Sequence, residues 1–467
     1  MNDELKIKNN ELGGKMNYRY RTDEEMKDSG VEWLGSIPKS WDIRQLKRVL
    51  IDRKENNSPI KTNNILSLTM EKGVIPYSEK GSGGNKAKED LSLYKLVYPN
   101  DIVLNSMNVV VGSVGLSKYF GCASPAYYML YKKNGSDSIE YYNNIFQSKL
   151  FQDSLIGLGN GILVKKSETS GKLNTIRMRI PMEKLNLVKI PIPKSSEQEK
   201  IAKFLDKKTA QFDSIISKKE ALIEKLEEAK KSLISEVVTG KVKVVKTNDG
   251  YELVERKKEE MKDSGVEWLG DIPKEWLVKR IKYLLMECRG KSEEGLEEPL
   301  SMSQKYGLIK TSDMDNIPNQ ALSLVGNKIV CKNDLVFNKL KPHLGVFSVS
   351  KYNGIVSPDY AVYRAKEKVN IKYLEYLFKT PLYIREFKKY ATGIGAGLTR
   401  LYTDQLFNIQ AISPSYSEQE NIVIMINRKL EETNMAIEKM KNQIEKLKEA
   451  KQSLISEAVT GKIEILD

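Results

Sequence analysis

The chain has 467 residues, and 76 Lys and Arg against 62 Asp and Glu give it a formal net charge of +14 with a single histidine and three cysteines. The length allows about three domains of ordinary size, each with its own core, and the positive excess favours a polyanionic partner. Cys122, Cys288, Cys331 and His343 are scattered without a C-x-x-C pair, so no closed zinc site is expected, and imidazole acid-base chemistry would have to use His343.

Residues 1–25 precede the first repeated block and are expected to be a disordered N-terminal extension. From Met26 to Gly35 the chain reads MKDSGVEWLG, and the same ten residues return from Met261 to Gly270, 235 positions on. The match continues as Ile37-Pro38 and Trp41 against Ile272-Pro273 and Trp276. Next comes a variable segment, 43–194, with strand-like apolar runs at 95–104, 109–116 and 129–131, a helical stretch at 139–157 and a glycine-rich turn at 157–161. Its second copy, 278–415, repeats the order with runs at 328–337, 345–349 and 361–363, a helical stretch at 371–392 and a glycine-rich turn at 393–397. Fainter matches join the two segments, as in Asn100-Asp101 with Asn333-Asp334 and Ser124-Pro125 with Ser357-Pro358. Such patterning predicts an α+β domain with a mainly antiparallel sheet.

Each variable segment leads into a near-constant block. Ser196-Glu197-Gln198-Glu199 and Thr239-Gly240-Lys241 return as Ser417-Glu418-Gln419-Glu420 and Thr460-Gly461-Lys462, 221 positions on. Each block reads as one long helix, capped by Ser196 or Ser417 and stopped by Gly240 or Gly461. Apolar residues recur at heptad spacing, Leu205, Phe212, Ile215, Leu222, Leu226 and Leu233 in the first helix and Ile426, Met440, Leu447 and Leu454 in the second. A helix of about 40 residues is a rod of about 60 Å, and two copies of one stripe predict an antiparallel coiled coil about a pseudo-two-fold axis. The boundaries are therefore 1–25 extension, 26–194 first globular domain, 195–245 first helix, 246–415 second globular domain and 416–467 second helix.

Lys and Arg anchor phosphates, while Asn, Ser and Arg read base edges. The turns of the first domain offer Lys86, Lys88, Asn105, Ser106, Asn108, Lys118, Tyr127, Lys165, Lys166 and Lys172. Those of the second offer Lys305, Asn338, Lys339, Lys341, His343, Lys351, Tyr360, Thr399 and Arg400. Signatures of catalysis are incomplete. Gly290-Lys291-Ser292 has the tail of a phosphate-binding loop, but Leu285 stands at its first glycine. Asp359, Glu386 and Lys388 resemble a metal-dependent nuclease set, yet the first copy has Ala126 in place of the aspartate. No catalytic residue and no metal site are assigned.

The constant blocks, Ser29-Gly30-Val31-Glu32-Trp33-Leu34-Gly35, Ile37-Pro38, Trp41, the helix ends Leu233-Ile234-Ser235-Glu236 and Thr239-Gly240-Lys241, and all their copies, resemble the specificity subunits of type I restriction-modification systems. Asn338-Lys339-Leu340-Lys341-Pro342 and Gly354 to Tyr360 are similar to that family's target-recognition domains. The resemblance implies that each globular domain reads one half of a bipartite duplex DNA sequence, with the helices as spacer. It implies two modification (methyltransferase) subunits docked on the helices and restriction/translocase subunits in the full complex. S-adenosylmethionine, ATP and Mg²⁺ would sit on those partners, with no cofactor in this chain. Unpaired cysteines and the lack of a long apolar run lead to the expectation of a cytoplasmic protein with no membrane partner. Two other readings stay open, a helical scaffold that binds proteins without DNA specificity and a stand-alone nuclease.

Overall fold

The computed structural model describes residues 17–70, 72–81, 87–159, 179–248, 250–303, 306–314, 323–340, 344–395 and 398–466. These fall into two compact units, one of Met1–Lys219 with Lys441–Asp467 and the other of Glu220–Met440.

The first unit is built on a four-stranded antiparallel sheet in the order Val114–Leu116, Ile102–Asn105, Tyr127–Lys132, Leu50–Asp52. The central strand shows why its sequence is apolar without interruption. Side chains alternate between faces of a strand, and both faces here are covered. Ile102 and Leu104 enter the main core with Trp41, Tyr141, Phe146 and Phe151, while Val103 enters a smaller core with Leu66, Leu68, Val97 and Met129. The second unit repeats this residue by residue. Its sheet runs Leu285–Glu287, Tyr360–Ala365, Leu335–Asn338, Phe347–Val349, Leu335 and Phe337 face the main core, and Val336 joins Leu300, Leu308 and Val362 on the other side.

Several sequence expectations shift in detail. The run at 95–104 is two strands, Lys95–Val97 and Ile102–Asn105, because Pro99 and Asn100 turn the chain between them, with Asn100 left-handed at φ 68°. The run at 328–337 divides likewise at Asn333, φ 71°. The helical stretches each break in two, at Ser148 in the first unit and before Pro381 in the second, where a ring in place of an N–H starts a helix better than it continues one. The expected disorder of residues 1–25 does not hold for their last part. Tyr18–Tyr20 pairs antiparallel with Ile463–Ile465, and Asp23–Glu25 form a turn of 3-10 helix.

The long helices span Ser195–Val238 and Tyr416–Val459. Both start one residue before the expected caps, and the Ser415 hydroxyl, rather than that of Ser417, accepts the Glu418 N–H at 3.3 Å. Within the first unit Lys451 donates to Asp213 at 2.6 Å and Lys219 to Gln443 at 2.8 Å, so the segments run antiparallel. In the second unit Lys230 donates to Asn434 at 3.0 Å. The apolar seam is only partly the expected one. Leu205, Phe212, Ile426 and Leu454 are buried, and Ile215, Leu226, Leu233, Met440 and Leu447 are half-buried. Leu222, however, is 44% exposed. The seam steps alternately by four and three from Phe212 through Ile216 and Lys219 to Ile223, so Leu222 falls one residue short of it.

The repeated sequence blocks sit where helices meet domains. In the first unit buried Trp41 donates its indole N–H to Glu197 at 2.9 Å, and Arg21 donates to the same carboxylate at 2.7 Å and to the Gly461 carbonyl at 2.8 Å. In the second, Trp276 and Arg256 hold Glu418 at 2.9 and 2.8 Å. A Cβ at Gly461 would strike the rings of Pro38 and Trp41, and one at Gly240 those of Pro273 and Trp276; both glycines have positive φ. Constancy of these blocks thus follows from packing at the start of one helix and the end of the other.

Candidate nucleic-acid interface

Most residues expected to touch DNA fall into three groups. The first shapes a turn. Asn105 and Tyr127 are directly opposed in the sheet, and the chain leaves Asn105 through Ser106, Met107 and Asn108. Asn105 is buried and its Oδ1 accepts the Met107 N–H at 3.0 Å; Asn338 does the same for Leu340 at 3.0 Å. Ser106 is buried with its hydroxyl donating to the Ala126 carbonyl at 2.9 Å. Asn105 and Ser106 therefore hold the turn and do not project from it, while Asn108, Tyr127 and Tyr360 are half-buried beside it. Burial pushes both tyrosine phenols up.

Lys118 and Lys351 form the second group. They are exposed but follow the strand ends Leu116 and Val349, whose register partners Ile102 and Leu335 begin the neighbouring strand. That is the other end of the hairpin from Asn105 and Asn338, so the structure does not bring these lysines to the same turn. Lys88 is exposed on a loop of its own. A third group, Lys86, Lys165, Lys166, Lys172, Lys305, Lys341 and His343, lies outside the described residues.

Beside the turn is a charged cleft that the sequence reading missed. In the first unit a cavity of about 810 Å³ is lined by Lys47, Asp52, Lys54, Tyr128, Arg179 and Glu183 among others. Asp52 and Lys54 project on one face of the edge strand, and Arg53 between them turns to the other, where it binds Asp101 at 2.9 and 3.0 Å. Lys95 lies against the cleft, donating to the Tyr127 carbonyl at 2.7 Å with its ammonium 5.3 Å from the Tyr128 ring centre. Burial pushes the Asp52 carboxyl up while Lys95 draws it back, and burial pushes the Lys95 ammonium down.

The second unit gathers charges of the same sign at the same positions, with Glu287, Arg289 and Arg400 close to Lys328. Glu287 and Arg289 stand for Asp52 and Lys54, Lys328 for Lys95, Arg400 for Arg179 and Asp404 for Glu183, at the offsets of 235, 233 and 221 that relate the copies. Glu287 accepts from Arg289 at 3.1 Å and from Thr403 at 3.0 Å. Lys339 lies here, and burial, with Lys328 and Arg400 close by, pushes its ammonium down. Arg400 binds the Asp359 carboxylate and faces the Tyr402 ring at 5.8 Å. Thr399 is paired with Gly393 in the hairpin that carries Arg400. The signal available in the sequence was the sign of charge kept at five positions in both copies.

As for the nuclease set, Asp359 is engaged by Arg400, and Glu386 is buried beside Lys389 at 2.9 Å. Among the described residues no group of three or more His, Cys, Asp and Glu side chains is placed to hold a metal ion. Nor is any described helix long and apolar enough to cross a membrane.

Two copies of one α+β domain with basic clefts, joined by paired long helices, define a duplicated recognition protein. Residues 38–227 match the family described as the type I restriction modification DNA specificity domain. The type I restriction enzyme MjaVIII specificity subunit of Methanocaldococcus jannaschii is 24% identical over 384 residues, 79% of this chain and 80% of that one. A second chain of that archaeon, named for the specificity subunit of the type I restriction enzyme MjaX, is 25% identical over 456 residues, 92% of this chain and 96% of its own. A solved chain from work on complex assembly and conformational transition of the type I R-M system shares the fold with a TM-score of 0.63 at 12% identity, over 91% of this chain and 99% of that one. The chain is thus similar over most of its length to type I restriction enzyme specificity subunits, and its residues 38–227 match their DNA specificity domain.

Proposed function

We propose that this chain selects the DNA site for a type I restriction-modification complex, each recognition domain reading one half of a bipartite duplex target. The observation that carries this reading is the repetition of one basic cleft on two domains whose neighbouring turns differ, Ser106-Met107-Asn108 in one and Lys339-Leu340-Lys341 in the other. Two surfaces with common chemistry and different detail suit two different sequences on one polyanion. In this reading the chain is the non-catalytic subunit. The long helices set the spacing of the half-sites and dock two modification subunits, and restriction/translocase subunits complete the assembly. S-adenosylmethionine, ATP and Mg²⁺ are then the partners' ligands, and the chain works in the cytoplasm. The test is selection from a pool of randomised duplexes by the full chain, which should return two short constant sequences separated by a fixed gap. Exchanging residues 43–194 for those of a relative should replace one of the two and leave the other; replacement of both, or selection of no sequence, refutes the reading.

A further inference from the structure

The duplication supplies its own comparison. Two domains that read different half-sites, the reading proposed above and the one on which this inference rests, must share what they need for DNA in general and differ in what they need for sequence. Five charged positions of the cleft keep their sign, as Asp52, Lys54, Lys95, Arg179 and Glu183 in one unit and Glu287, Arg289, Lys328, Arg400 and Asp404 in the other. The rim changes, and it changes as a pair. Ser106 and Ala126 touch through the hydroxyl-to-carbonyl hydrogen bond of 2.9 Å, and their counterparts are Lys339 and Asp359. One charge of each sign is added, so the balance of the cleft is kept.

In the first unit the retained groups are also not used up by one another, whereas in the second Arg289 binds Glu287 at 3.1 Å. Lys54, Lys95 and Arg179 share the first cleft with Asp52 and Glu183, yet none of the three forms an ion pair among the described residues, and Asp52 Oδ1 is buried without a hydrogen-bond partner. A first cleft kept only for internal support would have closed its pairs as Glu287 and Arg289 do in the second, because gathering like charges without neutralising them is unfavourable. In the second unit the Asp359 carboxylate sits on the Arg400 guanidinium, which shows the kind of group this position takes, an oxyanion.

We propose that the retained cleft, Arg179 with Lys54 and Lys95 in one unit and Arg400 with Arg289 and Lys328 in the other, grips a DNA phosphate, and that the exchange of the rim pair, an inward-bonded Ser106 with Ala126 in one unit for the charged Lys339 with Asp359 in the other, changes which bases the rim accepts. Arg179 is open to the phosphate, whereas Arg400 exchanges Asp359 for it. The division of labour is the general one for duplex readers, in which phosphate contacts position the protein and base edges specify.

The test uses the full chain and a pool of randomised duplexes, with bound and unbound fractions sequenced over a range of salt. Arg179→Gln should weaken binding to all duplexes by one common factor, leave the ranking of first half-site sequences unchanged and flatten the slope of log affinity against log salt by about 0.9. Arg179→Lys, which keeps the charge, should retain the slope and serves with thermal melting as the control for folding. The double variant Ser106→Lys with Ala126→Asp should re-rank first half-site sequences at an unchanged slope. A changed ranking or an unchanged slope in Arg179→Gln overturns the phosphate grip, and an unchanged ranking in the double variant overturns the rim. A wild-type chain that selects no sequence overturns the DNA-reading function and the cleft with it, whereas a selective wild type with an unaltered slope in Arg179→Gln overturns the cleft alone.

Discussion

Asp101 and Asp334 are buried at equivalent places, and each is held by a guanidinium from a different strand. Arg53 reaches Asp101 at 2.9 and 3.0 Å from the edge strand and lies over the Tyr131 ring at 4.5 Å. Arg364 reaches Asp334 at 2.8 and 2.9 Å from the neighbouring strand, at the position Tyr131 occupies in the first unit, while Cys288 stands where Arg53 does. A buried carboxylate needs its partner more than it needs that partner from one direction. Arg364→Tyr should therefore lower stability by about 1–3 kcal/mol in urea unfolding, and adding Cys288→Arg should recover most of the loss; no recovery would show that the two strands are not interchangeable. The same exchange explains why the sequence hid this pair. Aligned by position, the copies seem to have lost each other's arginine, and only the fold shows the charge has moved across one strand spacing. Trp41 was legible by contrast, because its packing against Pro38 and Gly461 fixes residue type and position together.

At the scale of the long helices the heptad reading found the elements, their starts to within a residue and most of the seam, but its boundaries at 245 and 467 run past the helix ends at Val238 and Val459 into the strands Val242–Thr247 and Ile463–Ile465, and it misplaced Leu222. Periodicity of apolar residues locates a seam only when every seam position is apolar. Lys219, at a seam position, donates to Gln443, while Leu222 points away from it at 44% exposure. Leu205→Ala should cost about 2–5 kcal/mol of stability, whereas Leu222→Ala should stay within about 0.5 kcal/mol. Chemical denaturation separates them, and equal losses would restore Leu222 to the seam. The cleft escaped the sequence reading for a related reason. Its members come from segments as far apart as Asp52, Lys95 and Arg179, each an ordinary surface charge by itself, and the turn residues that looked ready to bind, Asn105 and Ser106, are consumed in building the turn.

For the whole molecule the duplication extends to how each unit is closed. In the second unit Val242–Thr247 pairs with Gly250–Glu255, opening with Val242 against Glu255. In the first, Ile463 pairs with Tyr20, the positions equivalent to those two by the offsets 221 and 235. One pairing is made by a hairpin and the other by distant parts of the chain. A permutant whose residue 466 is linked to residue 17 and whose chain is opened in the 247–250 turn should retain DNA selection and most of its stability. Loss of folding in that permutant would mean that the hairpin turn carries more than connection.

The terminal strand pair has a further consequence for synthesis. The second unit is one continuous stretch, Glu220–Met440, whereas the first needs both Met1–Lys219 and Lys441–Asp467. As the chain emerges from the ribosome the second unit can complete itself first, although it is encoded later, and the first must wait with its core uncovered on the side that Leu454, Ile455 and Val459 will fill. Chains truncated near residue 445 and held on the ribosome by an appended flexible linker long enough to clear the exit tunnel should show the second unit resistant to protease and the first still open to it; protection of both would mean that the first core closes without its last helix turns. A chain broken off after Met440 thus fails at the unit whose larger part was made before the other, which ties the integrity of a core laid down early to a segment translated after the whole of the second unit.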